Sequence, residues 1–140
     1  MQDRFKFRLW DKSIKEMTYD VCLGFIKDTC PTADWVCADT SFGQITYRGD
    51  RLKDIELMQC TGLKDIKGTL IHEGDIVKYM YYNPKRYTKW TVVFDQNTLE
   101  FGLKDYKYGG YSRITRHSIL NNKVEIIGNI YENPELIGGA

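Results

Sequence analysis

The residues Arg4-Phe5-Lys6-Phe7-Arg8-Leu9 alternate without a fault: Phe5, Phe7 and Leu9 on one face, three cations on the other. Period-two alternation is the pattern of a half-buried strand. It excludes an amphipathic helix, whose apolar positions recur every three or four residues. The pattern returns at Trp90, Val92 and Phe94, with Thr91, Val93 and Asp95 opposite, and again at Leu99, Phe101 and Leu103. With Gln96-Asn97 as the turn between them, these two runs predict the strongest hairpin of the chain. A chain built on such runs is mostly β. Its aromatic content of 14%, with ten tyrosines, agrees, because aromatic side chains favour pleated, half-buried surfaces.

The rest of the chain is read in the same terms. Trp10-Asp11-Lys12-Ser13 predicts a turn and residues 15–20 the return strand of an N-terminal hairpin, whose cationic face is a solvated one. Residues 21–43 read as a loop-rich region. Within it Cys22-Leu23-Gly24-Phe25-Ile26 has strand composition, and Pro31-Thr32-Ala33-Asp34 suits a turn or a helix start. Residues 44–47 and 55–60 are short strands, separated by a turn at Arg48-Gly49-Asp50, and residues 61–68 are a polar loop. Gly74-Asp75 places a tight turn at the mouth of a strand over 76–82. After the 90–103 hairpin come a Tyr/Lys/Gly loop, a strand over 124–127 that bends at Gly128-Asn129 and continues through Ile130-Tyr131, and a helical turn opened by Asn133-Pro134. Five or six short strands in about 80 residues fit a small closed barrel. The predicted organisation is therefore an N-terminal hairpin with a variable region over residues 1–53, followed by a barrel over residues 54–140.

Several chemistries are disfavoured. Cysteines at 22, 30, 37 and 60 match no zinc spacing, and His72 and His117 stand far from one another. With no apolar leader or bilayer-length run, the expected compartment is reducing and the cysteines are expected to be free thiols acting as small buried hydrophobes. Thr61-Gly62-Leu63-Lys64 lacks the spacing of a phosphate-binding loop. Glu73-Gly74-Asp75 reads as a backbone turn before it reads as an acid/base pair. No catalytic residue, metal ligand or cofactor is assigned, and the chain is expected not to be an enzyme.

Charge is nearly balanced at +1 overall. Between residues 78 and 116, however, Lys78, Lys85, Arg86, Lys89, Lys104, Lys107, Arg113 and Arg116 face only Asp95, Glu100 and Asp105. Seven of the ten tyrosines fall between Tyr79 and Tyr111. Cations neutralise phosphates and exposed rings stack on unpaired bases, which makes this segment the candidate contact surface. Lys85, Arg86, Tyr87, Lys89, Tyr106, Lys107, Tyr108 and Tyr111 are its candidate residues. A purely structural role, a protein contact, self-association and a nucleic-acid contact all remain open for it.

Three blocks taken in order resemble the YopX family of phage and prophage proteins. They are Lys6-Phe7-Arg8-Leu9-Trp10-Asp11-Lys12 with Met17; Leu57-Met58-Gln59-Cys60-Thr61-Gly62-Leu63-Lys64-Asp65, continuing through Gly68 to Glu73-Gly74-Asp75-Ile76-Val77; and Ile127-Gly128-Asn129-Ile130-Tyr131-Glu132-Asn133-Pro134-Glu135-Leu136. Cys60 departs from the pattern, which more often carries an aromatic residue there. The resemblance implies an SH3-like barrel in the C-terminal half, a phage or prophage origin, a bacterial cytoplasmic setting and self-association as a trimer. It carries no established activity, so it transfers no catalytic residue. The expected function is a non-enzymatic accessory module that contacts a protein or nucleic acid, or a self-assembling structural protein, away from membranes.

Overall fold

The computed structural model describes residues 6–19, 21–24, 35–80, 85, 87–105, 109–113 and 123–138. Twelve strands follow one another among them. They are β1 (Phe7–Asp11), β2 (Glu16–Thr18), β3 (Val21–Gly24), β4 (Trp35–Thr40), β5 (Gly43–Arg48), β6 (Ile55–Lys64), β7 (Leu70–His72), β8 (Asp75–Met80), β9 (Tyr87–Asp95), β10 (Glu100–Lys104), β11 (Tyr111–Arg113) and β12 (Val124–Asn129). A 3-10 helix (Gly49–Asp54) precedes β6, and one helical turn, α1 (Glu135–Gly138), follows β12. The fold is mostly β. The chain divides into two compact units, Lys6–Gln59 and Cys60–Ala140, the latter with residues 1–5.

In the first unit β3, β4 and β5 form an antiparallel meander, while β1 lies between β2 and the first half of β6. Alternation selects the core: Val21 and Leu23 of β3, Val36 and Ala38 of β4, and Ile45 and Tyr47 of β5 pack with Leu9 and Ile55. Strand β4 lies in the region expected to be loop-rich. Its inward residues are small and its outward Cys37 is not polar, so the binary pattern is faint there.

The N-terminal pair forms, with Leu9 opposite Thr18, but its turn lies one residue pair later than expected. Asp11 stays in β1. Its carboxylate accepts bonds from the Ser13 amide at 2.8 Å, the Ser13 hydroxyl at 2.6 Å and the Ile14 amide at 3.3 Å. Lys15 closes the turn in the left-handed region, at φ 54°. The expectation of a solvated cationic face also needs correction, because Arg8 is only 2% exposed. As an inner strand, β1 pairs on both edges, and Met58, opposite Arg8 on β6, is buried as well.

Strand β6 runs to Lys64, through half of the expected loop. Its second half pairs with β7 across a register shift, and the Thr61 hydroxyl donates to the Ile71 carbonyl at 2.8 Å. The remaining turn is organised by Asp65. This buried carboxylate accepts the amides of Lys67 and Thr69, each at 2.9 Å, and that of Ile126 at 3.0 Å, 61 residues along the chain.

The second unit is built on a five-stranded antiparallel sheet of order β11-β10-β9-β8-β12. Ile71, Val77, Val92, Leu103 and Val124 form its core, with Leu63, Tyr79, Trp90 and Ile126 packed around them. The expected hairpin is β9–β10, with Val92 opposite Leu103 and Phe94 opposite Phe101. The two phenylalanine rings meet edge to face with centroids 5.2 Å apart. Leu99 does not extend the apolar face. The turn occupies residues 96–99, Leu99 takes φ 57° and is 75% exposed, and pairing resumes at Glu100. The expected bend in β12 is a register shift between Ile126 and Gly128, but the strand ends at Asn129 instead of continuing through Ile130-Tyr131, because the Tyr131 amide turns back to the Asn129 side chain at 3.1 Å. A Cβ on Gly128 would lie 2.6 Å from the Asn133 side chain, so glycine is what lets the segment before α1 close onto the strand.

Candidate functional site

Pairing across the second sheet sorts the basic, tyrosine-rich segment onto its two faces. Trp90, Val92, Val77 and Leu103 point into the core. By parity Tyr87 and Lys89 point the other way, and so do Lys78, Glu125, Lys104 and Tyr111: Lys89 is opposite Lys78, Lys78 opposite Glu125, Lys104 opposite Thr91 and Tyr111 opposite Lys104. Three of the sequence candidates, Tyr87, Lys89 and Tyr111, therefore share one face and are exposed. Lys85 is exposed in the turn before β9. Arg86, Tyr106, Lys107 and Tyr108 lie outside the described residues.

Side chains that the sequence did not single out complete the face. The Lys78 ammonium binds Glu125 at 2.9 Å and sits 5.6 Å above the Tyr87 ring, a cation–π distance. Lys67 binds the other oxygen of Glu125 at 3.0 Å. Hydrogen bonds from Lys78 and then Lys67 outweigh burial and hold the Glu125 carboxyl below its usual range, and the Glu125 bond raises the Lys67 ammonium. Tyr111 lays its ring across the bare backbone of Gly102, where a Cβ would fall 2.3 Å from its hydroxyl oxygen. This is aromatic cover of a strand glycine, and it fixes the ring's orientation. Parity alone could have placed Lys104 with Lys89. Nothing in the sequence joins Lys67 to Glu125.

The other motifs are absorbed by the backbone. Asp75 is 2% exposed and accepts the His72 amide at 2.7 Å. Gly74 donates to Val92 at 2.8 Å and accepts from Ile130 at 2.9 Å. The Lys67, Gly68 and Thr69 amides are directed to Asp65 and the Ile66 amide to the Val124 carbonyl rather than outward to an anion. Among the described residues no group of three or more His, Cys, Asp or Glu is placed to hold a metal ion, and no helix is long and apolar enough to cross a membrane.

Fold and face together define an all-β protein of two units, one of which displays a lysine- and tyrosine-bearing sheet face. The family profile described as YopX protein matches residues 6–138, and the chain belongs to the YopX family of phage and prophage proteins. Among solved structures it is similar to protein EF1440 from Enterococcus faecalis, at 25% identity and a TM-score of 0.63, covering 94% of this chain and 96% of that one. It is also similar to protein yopX from Bacillus subtilis, at 19% identity and a TM-score of 0.65, covering 98% of each. No curated protein matches the chain.

Proposed function

We propose that the protein is a non-enzymatic phage or prophage accessory module, working in the bacterial cytoplasm, that holds an anionic partner on the outer face of its five-stranded sheet. One observation carries this reading: Lys78, Lys89 and Lys104 lie on that face with Tyr87 and Tyr111, around the buried Ile76 and Thr91, while Lys67 joins it from the neighbouring turn by sharing Glu125 with Lys78. The meander β8–β11 and the return of β12 beside β8 support an SH3-like barrel as the scaffold, within residues 54–140.

Nucleic acid is the partner class favoured by the tyrosines. Tyr87 and Tyr111 are 51% and 43% exposed, and a ring held by a lysine or a glycine is a preformed stacking platform. The test is an anisotropy titration of labelled single- and double-stranded oligonucleotides at several salt concentrations. Three lysines on phosphates of a single strand give a slope of log K against log salt of about −2. Reversing Lys89 and Lys104 to Glu should abolish binding. Unaltered binding by that variant would remove the physical basis of the proposed face. No binding even at low salt moves the reading to an acidic protein partner. Light scattering on the same samples reads out self-association, including the trimer.

A further inference from the structure

We propose that Cys22 and Cys37 form a redox modification site that closes reversibly to a cross-strand disulfide by exchange with a small disulfide of the glutathione type. The two residues are direct partners on the antiparallel strands β3 and β4. Their neighbours Val21, Leu23, Val36 and Ala38 point into the core, so alternation turns both thiols to the opposite, outer face. Cys22 is exposed and Cys37 half-buried. The next residue of that row is Thr46, opposite Cys37 on β5, whose hydroxyl donates to the Cys37 sulfur at 3.7 Å. Directly opposed antiparallel residues have Cα atoms about 4.5–5.5 Å apart, inside the roughly 4.4–6.8 Å range that disulfides span. Their Cβ atoms are about 4.5–5.5 Å apart, against roughly 3.5–4.5 Å in a disulfide, so closure needs only a small approach of the two strands.

The chemistry balances in two exchanges. The more exposed Cys22 thiolate attacks one sulfur of the oxidised small disulfide, forming a mixed disulfide and releasing one thiolate. The Cys37 thiolate then attacks the Cys22 sulfur and expels the second. The protein loses two electrons and two protons, and the oxidant leaves as two thiols. β3 is an edge of its three-stranded sheet, so the cross-link ties that edge to its neighbour. Cys60, fully buried with its sulfur accepting the Gly62 amide at 3.4 Å, is an internal control.

The test uses the full chain carrying Cys30→Ser, treated with oxidised glutathione and then denatured and alkylated. Intact mass and non-reducing peptide maps are recorded with and without a reductant. The expected result is the loss of two hydrogens, a Cys22–Cys37 linked peptide and an alkylated Cys60. Adding Cys22→Ser should abolish the link. Adding Cys37→Ser should leave a stable glutathione adduct on Cys22. Slower amide exchange in β3 of the oxidised protein would support the cross-strand position independently. Three results would overturn the proposal: an adduct that persists on Cys22 while Cys37 stays alkylatable, a link from Cys22 to Cys60, or a Cys22 that does not react.

Discussion

Replacing Tyr47 by Phe removes one hydroxyl from the centre of the first unit and should destabilise that unit by more than its size suggests. Tyr47 is fully buried, and its hydroxyl donates to Asp11, itself 1% exposed, at 2.5 Å. Burial pushes the Asp11 carboxyl up, but the bonds from the Ser13 hydroxyl, Tyr47 and the two turn amides outweigh it, and the net shift is downward. Burial first, then the bond and charge of Asp11, push the Tyr47 phenol far up. The variant keeps the ring, and with it the Arg51 guanidinium 5.2 Å from its centroid, so the hydrogen bond is isolated from packing. A bond to a buried charge contributes about 1.5–3 kcal/mol. At 1.36 kcal/mol per decade, exchange protection in β1 and β5 should fall roughly 10- to 150-fold near neutral pH, read by hydrogen exchange with mass spectrometry. The pH dependence gives the sign. A carboxyl depressed by folding contributes stability present above its ordinary pKa of 3.8 and lost as pH falls through the lower folded value. The gap between wild type and variant should therefore be full above about pH 5 and shrink in stronger acid. A phenol raised by folding contributes stability present below its ordinary value of 10.0 and lost above it, so alkali should narrow the gap as well. Protection within threefold of wild type between pH 5 and 8 would refute the reasoning.

Asp65→Ala strands three amides, including the distant Ile126, and should cost the second unit about 2–4 kcal/mol in urea unfolding. Gly128→Ala forces the Asn133 and Leu136 side chains away from β12 and should cost about 1–3 kcal/mol by the same measurement. Gly102→Ala displaces the Tyr111 ring, which is free to swing into solvent, so stability should change by less than about 1 kcal/mol while single-strand binding weakens. Glu125→Gln removes the carboxylate paired with Lys67 and Lys78 and should tighten binding to a polyanion, measured by anisotropy. Weaker binding would mean that Glu125 orients those lysines rather than opposing them.

The strand character of residues 7–9, 90–95 and 100–103, the Gly74-Asp75 turn and the bend at Gly128 were legible because each is a local matter of side-chain period or backbone freedom. Other features were not. β4 was hidden because Val36 and Ala38 are small and Cys37 is not polar, which leaves little contrast to read. Leu99 continued the apolar pattern on paper, but the turn needed its backbone. Arg8 was placed with solvated cations, since alternation tells which residues share a face and not whether that face is covered. The lysine and tyrosine face depends on register. Lys67 meets Glu125 and Glu125 meets Lys78 only because segments far apart in sequence are brought together at particular residues, and Lys104 lies in line with Tyr111 only through the register of β10 with β11. By itself the sequence determined that this is a mostly β chain and how its clearly alternating strands divide into two faces. The tertiary structure decided which strands lie side by side, because a one-residue slip in pairing would turn every side chain of a strand to the opposite face.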